Sequence, residues 1–239
     1  MKTDDHAQPI GAALPNWTAR PYPAPIALDG RFIRLEKLDP ARHADELFAA
    51  HESDPEGRNW TYLFSDKPRT REAFREWVAK SASTEDPLFY AIVDKQSGQA
   101  VGVESLMRID RANGVIEVGH INFSPKLQRT PGATEAVFLL MKRAFEDLGY
   151  RRFEWKCDSL NAPSRRAALR LGFQFEGIFR QHMIYKGRSR DTAWFAIVDG
   201  DWPAIKAAFE SWLATENFDA NGRQRAPLGA RLAQDAEKS

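Results

Sequence analysis

The sequence predicts a mixed α/β (α+β) fold, on three observations. Residues 88–93, 100–107 and 115–123 are β-rich runs joined by the short turns 94–99 and 110–114, the pattern of an antiparallel meander. Between 134 and 148, Val137, Leu140, Met141, Ala144 and Leu148 fall on one helical face, and Gly149 supplies a stop. A further β-rich run, 152–157, follows that helix. A strand–helix–strand sequence is a crossover, so those two strands should pair in parallel.

The remaining elements follow in chain order. Residues 1–28 are rich in Pro, Ala and polar residues; Pro21, Pro23 and Pro25 alternate with Tyr22, Ala24 and Ile26, as in an extended arm lying on the body. Residues 30–35 alternate Phe32, Ile33 and Leu35 with Arg31 and Arg34, a first strand. Asp39-Pro40 starts a helix that continues through Leu47, Phe48 and His51. The loop 54–68 carries Asn59, Trp60, Tyr62 and Phe64, which either line a substrate entrance or pack beneath the loop. Thr70 caps a second helix with Ala73, Phe74, Trp77 and Val78 at helical spacing. Beyond the crossover strand, Asn161 caps a short helix ending at Leu171-Gly172. Strands at 173–179 and 192–198 flank a basic loop, 186–190. Asp201-Trp202-Pro203 opens a last helix. From about Asn217 the chain turns polar and loses periodicity, the signature of a poorly ordered tail. The expected organisation is an arm over 1–28, one domain over 29–216 and a polar, flexible tail over 217–239.

Composition narrows the function. The 239 residues contain 43% hydrophobic residues, enough for a sizeable core, and mean hydropathy of −0.52 argues for solubility. Formal net charge is +1, which gives no support to nucleic-acid binding. No apolar run approaches the roughly 18 residues of a membrane helix, and no signal-peptide core opens the chain. Cys157 is the one cysteine, so no intrachain disulfide or thiolate metal cluster is expected, and a cytoplasmic setting is the default. It falls in a strand and reads as a buried structural thiol.

Residues 115–136 organise the rest. A strand carrying Glu117 breaks at Ser124-Pro125, passes through a basic turn and enters the amphipathic helix. Such a turn aims backbone N–H groups and a helix dipole at one point, a site suited to a pyrophosphate. An acid/base group and an anion cradle would then be neighbours.

This order of elements resembles the GNAT N-acetyltransferase superfamily, most closely its RimJ/RimL-like branch, over roughly 31–198. Four matches carry the resemblance: Ile116-Glu117-Val118-Gly119-His120, the turn Gln128 to Ala136 with its Thr-Glu-Ala, Asn161-Ala-Pro-Ser164, and Leu171-Gly172-Phe173 leading to Glu176-Gly177. The resemblance implies the GNAT fold. Its mixed central sheet has an antiparallel N-terminal meander and a parallel, splayed pair at the cofactor site, with helices on both faces. It also implies acetyl transfer from acetyl-CoA to a primary amine in a ternary complex, with no metal. The phosphate loop departs from the family pattern, whichever of Gln128 or Arg129 opens it. Starting from Gln128 keeps the helix register, but puts Pro131, which has no N–H, in the first small slot. The Thr130 or Thr134 hydroxyl and the Arg129 guanidinium could compensate.

An alkylamine is mostly protonated at neutral pH, with a pKa near ~10, so a base must act before attack. Glu117 matches the branch's strand glutamate and is the expected catalytic base, directly or through a water; a cross-strand ion-pair role is its structural alternative. His120 is the fallback, although three residues of regular strand would put it on the opposite face, and only a bulge would alter that. Phe123 is the candidate oxyanion donor through its backbone N–H. The helix tyrosine that many GNAT enzymes use as acid is missing, Ala168 standing in its place. Asn161 and Ser164 match the branch's Asn…Ser pair; Ser164 would serve the departing thiolate and Asn161 the pantetheine arm. Gln128, Arg129, Thr130, Gly132, Ala133 and Thr134 would complete the cofactor site. Trp60, Tyr62, Glu104, His120 and Asp191 are weak acceptor-site candidates. The acceptor is an amine-bearing small molecule or a protein N-terminus, and a homodimer is one option for assembly. A non-catalytic acyl-CoA-binding module is the alternative function.

Overall fold

The computed structural model describes residues 2–229 and Leu232. Its centre is one eight-stranded mixed sheet. In chain order the strands are β1 (Leu28–Asp29), β2 (Ile33–Lys37), β3 (Leu88–Asp94), β4 (Ala100–Asp110), β5 (Val115–Phe123), β6 (Arg152–Asp158), β7 (Gln174–Tyr185) and β8 (Arg188–Val198). They lie in the order β1-β2-β3-β4-β5-β6-β8-β7. Every neighbouring pair is antiparallel except β5 and β6, which run parallel.

The helices cover both faces. On one, α1 (Pro40–His51) and α2 (Arg71–Ala82) pack Leu47, Phe74 and Val78 against Ala91, Val93 and Val103. On the other, α3 (Pro131–Lys142), a π-helical turn at Arg143–Asp147 and α5 (Trp202–Leu213) bury Leu140, Met141, Phe145 and Phe209 against Tyr90, Leu106, Val118 and Phe153. The short α4 (Ala162–Arg170) follows β6. Asp39, Thr70, Thr130 and Asn161 accept hydrogen bonds from the first-turn amides of α1 to α4, each cap worth about 1 kcal/mol.

Four local readings change. Helix α3 begins at Pro131, not at 134, because Thr130 is its cap and Pro131 has no N–H to lose in the first turn. The basic loop 186–190 shrinks to the turn Lys186-Gly187. Both residues have positive φ, 48° and 69°, as a two-residue hairpin requires, so β7 and β8 run farther than expected. The arm is not extended throughout: Lys2–Thr3 pairs antiparallel with Pro9–Ile10, and the following stretch is held to the β4–β5 turn, where Trp17 Nε1 donates to Ala112 O (2.7 Å) and Arg20 N to Arg111 O (2.9 Å). The segment after Asn217 is not loose through its described part. Asn217 is buried and donates to Trp212 O and Ala226 O, Phe218 meets Trp212 and Phe32, and Leu228 is fully buried. Its few apolar residues are too widely spaced to show periodicity, yet Phe218, Leu228 and Leu232 reach the core.

Candidate active site

The parallel pairing of β5 with β6 runs from Val115↔Arg152 only to Val118↔Trp155; beyond it the strands separate. A β-bulge marks the same point. Ser105 pairs with Gly119 and Val103 with Asn122, so β5 has one residue too many, and His120 takes φ of 50°. This extra residue brings the His120 side chain into the same pocket as Glu117 instead of leaving it on the other face.

That pocket has a volume of about 120 Å³. Glu117, Gly119, His120 and Ile121 come from β5; Trp155, Lys156, Cys157 and Asp158 from β6; Asn161 and Ser164 from α4; Arg190 from β8. Tyr62, Leu63 and Phe64 of the α1–α2 loop close it. Lys186 fastens that loop to the β7–β8 turn, donating to Trp60 O (2.7 Å) and pairing with Asp66 (3.0 Å).

Glu117 is 4% exposed. Burial raises its pKa above the usual carboxylate range, and Lys156 and Arg108 oppose the rise. Lys156 Nζ lies 2.9 Å from Glu117 Oε2, 2.6 Å from Glu154 Oε2 and 3.9 Å from the Trp194 ring centroid, while Arg108 Nε lies 3.5 Å from Glu117 Oε2. Burial, with Arg108 adding to it, lowers the pKa of His120 and favours the neutral ring.

Ser164 Oγ accepts from Trp155 Nε1 (3.0 Å) and turns its own proton toward the neighbouring Cys157 sulfur. Asn161 caps α4 through Ser164 N (3.2 Å) and still lines the pocket. Cys157 is buried beside Ser164, and burial raises its pKa, so the thiol rather than the thiolate prevails. Ala168 is fully buried in the core. Two phenols do approach. Tyr62 donates to Leu160 O (3.3 Å), and Tyr185, its pKa pushed up to about 12 by burial and Asp158, donates to Asp158 Oδ2 (2.8 Å).

At the turn before α3, several expected ligands are already engaged. Gln128 Nε2 donates to Phe123 O (2.9 Å) and Asn59 Oδ1 (2.8 Å). The Thr130 hydroxyl donates to Leu127 O and accepts from Ala133 N as the cap, while the Thr134 hydroxyl accepts from Arg170 Nη1 (3.0 Å). Arg129 remains available: its backbone is left-handed (φ 62°), its side chain is exposed, and its N–H has no acceptor among the described residues. The Gly132 N–H lies in the first helical turn, where no intrahelical acceptor exists. A Cβ at Gly132 would come within 2.7 Å of Ile33, so glycine lets α3 approach β2. Glu135 fixes that approach. Its carboxylate accepts from the amides of Arg31, Phe32 and Ile33 at 2.6, 2.7 and 3.0 Å, clamping the β1–β2 turn.

Four candidates lie away from the pocket. Trp60 is buried beneath its loop against Phe74 and Trp77. Asp191 Oδ1 accepts from Gln181 N (2.7 Å) at a bulge of the β7–β8 hairpin. Glu104 points to the opposite sheet face, fully buried with Tyr90 and Leu106. Phe123 lies beyond the pocket; Gly119 to Ile121 form the β5 segment lining it. Sequence reasoning missed Lys156 and Arg190. Alternation from Trp155 could have suggested Lys156, but Arg190 was hidden in the basic cluster read as a loop.

Comparisons with known proteins identify the family. The family model of the acetyltransferase (GNAT) domain matches residues 33–174, and the chain belongs to that family. It is an N-acetyltransferase. A GCN5-related N-acetyltransferase from Brucella melitensis is 52% identical with a TM-score of 0.90, covering 92% of this chain and all of its own. An uncharacterized N-acetyltransferase p20 from Bacillus licheniformis is 28% identical over 71% of this chain and 94% of its own length. The microcin C7 self immunity acetyltransferase MccE, solved in complex with acetyl-CoA and AMP, shares the fold at 24% identity and a TM-score of 0.60, over 71% of this chain and 93% of its own. No helix among the described residues is long and apolar enough to cross a membrane, and no cluster of metal-ligating side chains occurs among them.

Proposed function

We propose that the chain moves the acetyl group of acetyl-CoA to a primary amine by direct attack in a ternary complex, with Glu117 as general base, directly or through a water. The observation that carries this reading is the buried Glu117 carboxylate at the point where β5 and β6 part, sharing one pocket with the Ser164 hydroxyl. The diphosphate would rest at the α3 turn on the Arg129 and Gly132 amides and the Arg129 guanidinium, with Thr130 and Ala133 shaping the turn. The pantetheine would run between the parted strands past Asn161.

Glu117 removes the ammonium proton, and the freed nitrogen attacks the thioester carbonyl. A raised carboxylate pKa brings the base closer to the operating pH. A β5 backbone amide between Gly119 and Ile121 would serve the oxyanion. As the C–S bond breaks, Ser164 donates a hydrogen bond to the sulfur. The small volume of the pocket, about 120 Å³, favours a small-molecule amine over a protein N-terminus. The test is thiol release from acetyl-CoA across an amine panel. Ser164→Ala should lower kcat about tenfold with little change in the KM for acetyl-CoA. An unchanged kcat would remove Ser164 from the mechanism.

A further inference from the structure

Arg190 is 6% exposed, yet it forms no ion pair among the described residues. Its Nε donates to Thr192 Oγ1 (3.1 Å), and the guanidinium carbon lies 5.8 Å from the ring centroids of both Phe64 and Tyr185. The nearby carboxylate, Asp158, is engaged: Oδ1 accepts from Leu160 N (2.9 Å) and Oδ2 from the Tyr185 hydroxyl (2.8 Å). The side chain lines the pocket that contains Glu117. A buried guanidinium without a direct ion pair is costly to the free protein, and the charge of Asp158 offsets only part of that cost. Its place in the lining of the pocket gives that cost a purpose.

Phe64 of the α1–α2 loop lines the pocket, Tyr185 of β7 lies against Arg190, and Arg108 adds a second cation beside Glu117. The CoA diphosphate has its own candidate turn. From these contacts we infer that the acceptor is an amine bearing an anionic group, held by Arg190 through that group while its nitrogen faces Glu117, with Phe64, Leu63 and Met107 against an apolar body. A guanidinium fork suits a carboxylate or a phosphate. This inference rests on the reading of the pocket as the acceptor site.

Steady-state kinetics with α-amino acids, their carboxamides and O-phosphoethanolamine test it. The anionic member of each pair should have a kcat/KM at least tenfold above its neutral partner, and O-phosphoethanolamine decides between carboxylate and phosphate. Arg190→Gln should raise KM for the anionic acceptor about 10²-fold, leave kcat within a few-fold and erase the preference over the amide. Arg190→Lys should recover part of the affinity. Equal use of acid and amide by the wild type, or an equal loss on both in Arg190→Gln, overturns the inference. Binding is measured separately by calorimetry on Glu117→Gln with CoA present. Uptake of the anionic amines that disappears on adding Arg190→Gln supports the inference even where turnover fails, so a wrong base and a wrong anion site give different results. Uptake of none of them overturns it. The melting temperature supplies a further readout: without ligand, Arg190→Gln should melt no lower than wild type, whereas a purely structural arginine would lower it.

Discussion

Glu104 and Glu117 stand on neighbouring strands, both buried, on opposite faces of one sheet. Glu117 faces a pocket and two cations. Glu104 faces Tyr90 beneath α3, with no hydrogen-bond partner for either oxygen among the described residues, and burial alone pushes its pKa up to about 8. Burial therefore does not make a base. A carboxylate removed from water without a partner stays protonated at neutral pH, whereas one held between Lys156 and Arg108 can lose its proton and regain it. Sequence reasoning offered both as site residues, and only the sheet face separates them.

The largest expected effect separates their roles. Glu117→Gln should lower kcat about 10²- to 10⁴-fold in the acetyl-CoA thiol-release assay, with a native circular dichroism spectrum. Glu104→Gln should leave kcat within about threefold, since Glu104 is buried outside the pocket lining. A large kcat loss in both variants would break the contrast.

The next effect belongs to Glu104. Its pKa in the folded protein is about 8, against an ordinary glutamate value of 4.5. Its contribution to stability is therefore full below about pH 4.5 and is lost as pH rises through 8. Relative to Glu104→Gln, the wild type should lose up to about 4 kcal/mol between pH 5 and pH 9, read by urea unfolding at both values. Parallel stability curves for the two proteins would mean that Glu104 is not a buried neutral acid.

A smaller effect tests the cations. Lys156 holds the Glu117 pKa down against burial. Lys156→Met should move the acidic limb of the kcat/KM profile to higher pH and lower the rate at pH 7 about tenfold, with recovery above it. An unmoved limb would show that Lys156 is structural only.

Much of the site was legible before the fold was known, because local rules wrote it. Asp39-Pro40, Thr70 and Asn161-Ala-Pro-Ser164 are caps whose side chains act within four residues, and the break at Ser124-Pro125 announced the turn before α3. What stayed hidden depends on register between distant strands. The bulge at His120 exists only in relation to β4. Arg190 became a strand residue only because Lys186 and Gly187 close the hairpin in two steps. The Thr-Glu-Ala of α3 was visible as a motif, but nothing near it disclosed that Glu135 would hold amides from Arg31 to Ile33, about a hundred residues earlier.

That clamp has a consequence for the acyl donor. The helix whose first turn would receive the diphosphate is already pinned one turn farther along by three charge-assisted bonds to the sheet edge. Its entropy was surrendered when the chain folded, so a nucleotide arriving there meets amides that are preorganised and need not order them on docking.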